Sequence, residues 1–320
     1  MLKNRRVLIT GATGFIGANL VRKCLDAGAK VSILTRSASE KWRIEDILGE
    51  VQECVADLLD YDRLKKVVSK IKPEIVFHTA TYGGYFFQKQ ADRIILTNIV
   101  GTTNLANACS KVGYEVFVNT GSSSEYALKD APIKEDDLLN RNSYYGIAKA
   151  ASTLFCQLKA IEEDLPITTL RLFSPYGYYE EPSRLIPSVV ISCLKGRDPR
   201  LSSHSSVRDF IFVEDTVDAY LKAAAYPDKA RSKVFNIGSG CQHSVGELVT
   251  TIIKITGSKV EPQWGASPNS RIEPKMWQAD IDRASHILDW HPRYDLEGGL
   301  KKTVEWFEKN LNLYENRERL

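Results

Sequence analysis

The chain has no apolar run approaching the roughly 20 residues that cross a bilayer, and nothing before Arg6 resembles a signal peptide. A cytoplasmic protein with no membrane partner is expected. Paired cysteines are missing as well. Cys24, Cys54, Cys109, Cys156, Cys193 and Cys241 are scattered, mostly in apolar periodic segments, with no Cys-x-x-Cys, and are expected to be buried thiols in a reducing compartment. No cluster of His, Cys and carboxylates has metal-site spacing, so no metal is expected. Basic runs interleaved with aromatics are absent and the formal charge is only +3, which argues against nucleic acid as a partner. No repeat or low-complexity tract is visible. What is present, 320 residues with ordinary apolar and charged fractions, suits one large α/β domain with a smaller one attached.

The stretch around which the chain is organised lies near its start. Arg6-Val7-Leu8-Ile9-Thr10 reads as a strand, Gly11-Ala12-Thr13-Gly14-Phe15-Ile16-Gly17 as a glycine loop, and the apolar-periodic residues from Asn19 to Leu25 as a helix. Gly11 permits a tight turn, Gly14 lets the backbone approach a pyrophosphate, and Gly17 lets helix and strand pack closely. The phosphates are expected at the helix N-terminus, where unpaired amides and the dipole favour an anion.

Further strands are expected at 30–35, 51–57, 74–80, 115–120 and 167–172, with helices at about 60–70, 90–112 and 143–163 between them. This alternation implies an α/β fold with a doubly wound parallel Rossmann sheet, whose ligand lies outside the carboxyl ends of the strands. From Phe173 onward prolines break up the pattern. The expected division is therefore a dinucleotide-binding domain over 1–172, with pieces returning near 214–240, and a smaller C-terminal α/β substrate-binding domain over most of 173–320. Ser244-Val245-Gly246-Glu247 has the spacing of a capping box for a helix running to about Thr256.

Tyr145 and Lys149 stand four apart on the expected helix 143–163, so both project from one face. A nearby ammonium and a cationic nicotinamide favour a phenolate, which makes Tyr145 a candidate to take or give a proton at a hydroxyl or carbonyl. A serine of Gly121-Ser122-Ser123-Ser124-Glu125, after the fifth strand, is expected to complete a hydrogen-bonded cradle around the reacting oxygen. His78, at a strand end, is expected to be packed or hydrogen-bonded. The end of the second strand, where folds that bind NAD carry an acidic residue for the ribose, holds Thr35 followed by Arg36. With no carboxylate there, a guanidinium at Arg36 and a hydroxyl at Ser37 favour the 2′-phosphate of NADP(H) over NAD(H).

With these pieces in order, the chain resembles an extended short-chain dehydrogenase/reductase of the nucleotide-sugar epimerase, dehydratase and 4-ketoreductase group. Besides the glycine loop, Tyr145, Lys149 and the serines, the resemblance rests on residues 170–177, 208–215 and 236–240. It implies that Ser123 or Ser124 is the catalytic serine and Tyr145 the acid-base, while Lys149 orients the ribose and tunes Tyr145. It further implies a cofactor lined by Gly11, Thr13, Gly14, Phe15, Ile16 and Gly17, with Asp57 and Leu58 at the adenine, then Thr79, Ala80 and Phe173. For a nucleotide-diphosphate sugar it implies Arg208 and Arg271 as a diphosphate clamp. Arg184 resembles an arginine that reaches the substrate in some relatives. Ser174 replaces an asparagine that contacts substrate in many members, and Ala127 replaces a usual glycine. The resemblance also implies a homodimer through the helices 90–112 and 143–163, with Ile95, Ile99, Leu154 and Leu158 among the apolar positions.

Three functions fit these residues. The first is an NADP(H)-dependent reductase of a nucleotide-linked 4-keto-6-deoxyhexose, which the Arg36 argument favours. The second is an NAD-retaining 4-epimerase or 4,6-dehydratase. Glu125 stands where dehydratases of the group place a base, although Ser124 replaces an acidic proton donor that some of them carry. The third is a non-catalytic dinucleotide sensor, which would have no need of the Ser, Tyr and Lys set.

Overall fold

The computed structural model describes residues 2–139, 143–266, 275–315 and 317. The first half alternates strand and helix: β1 (Arg6–Thr10), α1 (Phe15–Asp26), β2 (Lys30–Thr35), β3 (Gln52–Val55), α2 (Tyr61–Ile71) and β4 (Ile75–His78). There follow α3 (Ala91–Ile95), a π-helical stretch Leu96–Val100, α4 (Gly101–Ser110), β5 (Val116–Ser122), α5 (Tyr144–Glu162) and β6 (Ile167–Leu172). The rest comprises β7 (Ser174–Tyr176), α6 (Leu185–Leu194), β8 (Arg200–Leu201), β9 (Val207–Phe212), α7 (Val213–Ala225), α8 (Pro227–Ala230) and β10 (Val234–Ile237). It ends with β11 (Gln242–Ser244), α9 (Val245–Thr256), β12 (Gln263–Trp264), α10 (Asp282–Leu288) and α11 (Leu296–Asn310).

Seven parallel strands form the central sheet in the order β10-β6-β5-β4-β1-β2-β3. Alternate residues of each strand serve opposite layers. Val7 and Ile9 join the core shared with α1, α7 and α11, while Leu8 joins the one shared with α2 and α4. Helix α2 illustrates the local logic. Leu64, Val67, Val68 and Ile71 are buried at helical spacing, and the Asp60 side chain accepts the Arg63 amide hydrogen at 3.0 Å as the N-cap. The late strand β10 pairs with β6 and so completes the sheet from the far end of the chain.

Three expectations differ in detail. The helix expected at 90–112 is interrupted by the π stretch, where buried Asn98 donates to the carbonyls of Tyr82 (2.7 Å) and Ile94 (2.8 Å). The third strand stops at Val55, so Asp57 lies in the loop beyond it. Cys241 is exposed rather than buried, because it sits in the turn before the short edge strand β11. Among the described residues no helix is long and apolar enough to cross a membrane, and no three His, Cys, Asp or Glu side chains gather as metal ligands would.

Candidate active site

The carboxyl edge of the sheet carries the glycine loop. Gly11 has a φ of +69°, and a Cβ there would stand 2.5 Å from the Ala80 amide nitrogen. On Gly17 a Cβ would stand 2.1 Å from the Gly11 carbonyl oxygen, so only hydrogen fits at either place. Gly14 caps α1 without a side chain and the first turn has no acidic residue, which leaves the first amides to an anion. Thr13 offers its carbonyl to Arg43 Nη1 at 3.4 Å, Phe15 is buried and Ile16 half-buried.

The other residues expected at the cofactor follow the ends of β3, β4 and β6. Asp57 is exposed and accepts the Leu59 amide hydrogen at 2.9 Å, while the buried Leu58 accepts from Asn104 at 2.9 Å through its carbonyl. The Thr79 hydroxyl donates to the Thr10 carbonyl at 2.7 Å, and the Ala80 amide donates to Thr10 Oγ1 at 3.3 Å. Phe173 is buried against Tyr126 and Trp277.

At the end of β2 the expectation needs correction. The buried Thr35 hydroxyl donates to Glu53 Oε1 at 2.6 Å, and Lys41 Nζ lies 2.8 Å from Glu53 Oε2. The Lys41 bond, followed by the Thr35 bond, holds the Glu53 carboxyl below the usual range. A carboxylate therefore stands beside this strand end after all, contributed by β3. Counting from the glycine loop could not find it, because only the strand pairing, Ile33 opposite Glu53 and Thr35 opposite Val55, brings it there. Arg36 and Ser37 are exposed, and the Arg36 amide donates to Ser39 Oγ at 3.0 Å.

The candidate acid-base residues lie where α5 rests on the turn after β5. Ser143 Oγ caps α5 by accepting the Gly146 amide hydrogen at 3.0 Å, and a Cβ on Gly146 would stand 2.3 Å from the Ser124 carbonyl oxygen. That glycine lets the helix approach. Burial raises the pKa of Tyr145, while hydrogen bonding with the Thr81 and Ser122 hydroxyls lowers it. The hydroxyl that meets the phenol thus belongs to Ser122, one residue before the pair Ser123 and Ser124 expected to supply it. Ser123 is buried, and Ser124 gives its amide hydrogen to Ser122 Oγ at 3.1 Å. Ser122 and Glu125 form a capping box, a Ser-x-x-Glu signature that was legible in the sequence and would have singled out Ser122.

Glu125, expected as a possible base, is turned inward. It is fully buried. Its Oε1 accepts the Ser122 amide hydrogen at 2.8 Å and its Oε2 accepts from Arg171 Nε at 2.6 Å, so both oxygens are engaged within the protein.

Lys149, one turn beyond Tyr145, is 3 % exposed, and burial pushes its ammonium down to about 8 against the opposing charge of Glu125. His78 is a second buried base. Its Nε2 lies 2.9 Å from Thr102 Oγ1, which itself donates to the Asn98 carbonyl, so Nε2 carries the proton and Nδ1 accepts from Thr10 Oγ1 at 2.6 Å. Burial lowers His78 to about 3, as suits a neutral, packed histidine.

The residues expected at the substrate spread over the second half. Ser174 opens β7 and is half-buried. Arg184, 43 % exposed, precedes α6 with Nε 3.7 Å from Glu180 Oε1, and Arg208 on β9 donates through Nη1 to the Val207 carbonyl at 2.6 Å. Arg271 lies outside the described residues.

The doubly wound sheet with its glycine loop defines a dinucleotide-dependent enzyme of the extended short-chain dehydrogenase/reductase type. More narrowly, the chain belongs to the NAD dependent epimerase/dehydratase family, which it matches over residues 7–238. It is 30% identical over 318 residues to a UDP-glucose 4-epimerase of Mycolicibacterium smegmatis, covering 94% of this chain and 98% of that protein. The structure is similar to that of a UDP-glucose 4-epimerase from Thermotoga maritima solved with UDP-glucose, with a TM-score of 0.88 and 29% identity over 95% of this chain and 99% of that one. It is also similar to a UDP-glucuronic acid 4-epimerase from Bacillus cereus solved with UDP-glucuronic acid and NAD, with a TM-score of 0.84 and 25% identity over 95% and 99% of the two chains.

Proposed function

We propose that the protein is an NAD-retaining nucleotide-sugar 4-epimerase. The observation that carries this reading is the contact of Tyr145 with Ser122 beside buried Lys149, in a turn whose one acidic side chain is tied inward. Epimerisation at C4 needs one acid-base group and a hydride acceptor. A 4,6-dehydration needs in addition a base for the carbon beside the transient ketone, and Glu125 is committed to Arg171 and to the Ser122 amide. The reductase reading drew on a missing carboxylate at the end of β2. Glu53 stands there paired with Lys41 and Thr35, so at this strand end the two charges offset each other and the argument for a 2′-phosphate loses its ground. The similarity to epimerases, one of them solved with NAD, supports the same choice.

The residues present fit the dinucleotide. The glycine cradle and uncapped α1 suit its diphosphate, and the Lys149 ammonium, perturbed by burial and distant charges but by no hydrogen bond, suits ribose hydroxyls. When bound, the nicotinamide supplies a hydride acceptor and donor at the hexose C4. Tyr145 takes the proton of the C4 hydroxyl as that oxygen becomes a ketone and later returns it, while Ser122 hydrogen-bonds the same oxygen. The Lys149 charge favours the phenolate form. Gly84, on which a Cβ would stand 3.8 Å from the Tyr145 oxygen, closes one side of the reaction centre. In this reading residues 1–172, with the pieces near 214–240, hold the dinucleotide. Most of 173–320 holds the nucleotide sugar, with Arg184, Arg208 and Arg271 offering guanidinium groups to its diphosphate.

The test is to denature the purified protein, identify the released dinucleotide by mass spectrometry, and incubate the native protein with UDP-glucose in D₂O without added cofactor. Expected are NAD and the 4-epimer with no deuterium on the sugar carbons. Turnover that requires NADPH restores the reductase, and deuterium entering beside C4 restores the dehydratase.

We propose in addition that two copies pair through α3, the π stretch and α5. Ile95, Leu96 and Val100 are about two-fifths exposed, and Leu154, Leu158 and Ile161 on α5 more than half, a band of apolar surface on helices that pack side by side. Light scattering at micromolar concentration is expected to give twice the chain mass, and a monomer refutes the pairing.

A further inference from the structure

We infer that the buried Arg171–Glu125 ion pair is the positioning device of the acid-base centre, holding the Ser122 backbone so that the Ser122 hydroxyl meets the Tyr145 phenol. The inference rests on the proposed function for the reaction that Tyr145 serves. The placement of Ser122 does not depend on it.

The Ser122 amide hydrogen goes to Glu125 Oε1, and Ser122 Oγ accepts the Ser124 amide hydrogen. With the backbone and one lone pair occupied, the hydroxyl proton and the other lone pair are left for the phenol. Arg171 keeps Glu125 in place and is itself immobile. It is 2 % exposed and donates through Nη1 to Tyr126 Oη (2.8 Å) and the Glu135 carbonyl (2.9 Å), with its guanidinium 4.6 Å from the centre of the Tyr126 ring. Tyr126 Oη in turn donates to Asn236 Oδ1 at 2.6 Å, so the turn after β5 is referenced to both β6 and β10. The space is matched to the pair, because a Cβ on Gly121 would stand 2.7 Å from Glu125 Oε1 and 2.8 Å from Arg171 Cγ. Well-packed apolar residues generally stabilise a core as well as a buried ion pair does, so what this pair adds is geometric.

The charge of Glu125 also reaches the phenol and opposes its ionisation. Arg184, from the start of α6, acts in the opposite direction, Tyr220 on α7 is a further titratable group near it, and Lys149 follows one turn along α5.

The test uses the full chain with its cofactor and compares Ser122→Ala, Glu125→Gln and the double variant. Glu125→Gln is expected to lower kcat by about 10- to 100-fold through misplacement, with KM nearly unchanged. The double variant is expected to be no slower than Ser122→Ala alone, since the two residues act as one unit. Independently of any substrate, the Tyr145 titration is read as the ultraviolet difference between each protein and its Tyr145→Phe counterpart. Loss of the Glu125 charge alone, read from Ser122→Ala against the double variant, is expected to lower it, and Glu125→Gln with Ser122 present is expected to lower it less or raise it, because the Ser122 hydrogen bond is lost as well. If Glu125→Gln fails to fold, Glu125→Gln with Arg171→Met removes both charges together, and the same comparison with and without Ser122 is made in that background, where the charge change largely cancels and a raised titration that needs Ser122 is expected. Losses that multiply in the double variant, or a Glu125→Gln titration shift that is the same with and without Ser122, overturn the inference. A wrong substrate assignment would leave the titration shift intact and abolish turnover in the parent protein too.

Discussion

The glycine loop and the serine turn both follow strands of one sheet and, in the proposed function, serve the same reaction, yet they are built on different principles. The loop from Thr10 to Gly17 is made of backbone. Its shape follows from hydrogens where any Cβ would strike a carbonyl or an amide, and consecutive residues suffice to specify it. The turn from Gly121 to Tyr126 is made of side chains. Ser122 is aimed by Glu125, Glu125 by Arg171 of β6, and Arg171 by Tyr126 and the Glu135 carbonyl. Local geometry thus makes a cradle that suits an anion, whereas the serine turn depends on a network spread over the fold.

The comparison breaks most sharply at Tyr145. Tyr145→Phe is expected to keep the cofactor and the fold but to lose about 10² to 10⁴-fold in turnover, the usual contribution of an acid-base group. Steady-state rates beside the dinucleotide content of the purified variant check this, and activity within a few-fold of the parent removes Tyr145 from the proton path. On the glycine side, Gly11→Ala combines a left-handed backbone with a Cβ 2.5 Å from the Ala80 nitrogen, and a loss of about 2–4 kcal/mol of stability is expected. Urea unfolding measures it, with cofactor retention falling in parallel.

Lys149 sharpens the contrast from the side of charge. Burial depresses its pKa from 10.5 to about 8, so between those values the unfolded chain binds more protons and stability rises with pH. Below pH 8 the full cost of the buried ammonium is present. Lys149→Met without cofactor is therefore expected to be more stable than the cofactor-free parent at pH 7, by roughly 3 kcal/mol at 1.36 kcal/mol per unit, and to lose that advantage as pH approaches 10.5. Melting temperatures across that range test the sign, and a variant less stable at every pH would show Lys149 to be a structural residue. The smallest effect is expected at Arg36. Arg36→Ala is predicted to change NAD affinity less than about twofold, because the side chain is exposed and the carboxylate beside Thr35 belongs to Glu53. Calorimetry with NAD and NADPH decides it. A drop of about 1.5 to 3 kcal/mol for NADPH alone would mean that Arg36 pairs with a 2′-phosphate.

Read by itself, the order of residues determined the class of fold, because strand and helix periods and the punctuation by glycine and proline are local properties of the chain. It determined the diphosphate loop and the Tyr145 and Lys149 pair for the same reason, since spacings of three to six residues on a turn or a helix fix relative position. It did not determine which serine faces the phenol, whether Glu125 is open to a substrate, or which carboxylate stands at the end of β2. Those depended on α5 settling against the Ser124 carbonyl, on Arg171 arriving from β6, and on the register that places Glu53 opposite Ile33. Each is a contact between segments distant in the chain, and a shift of one residue in strand pairing would have turned a different side chain toward the site.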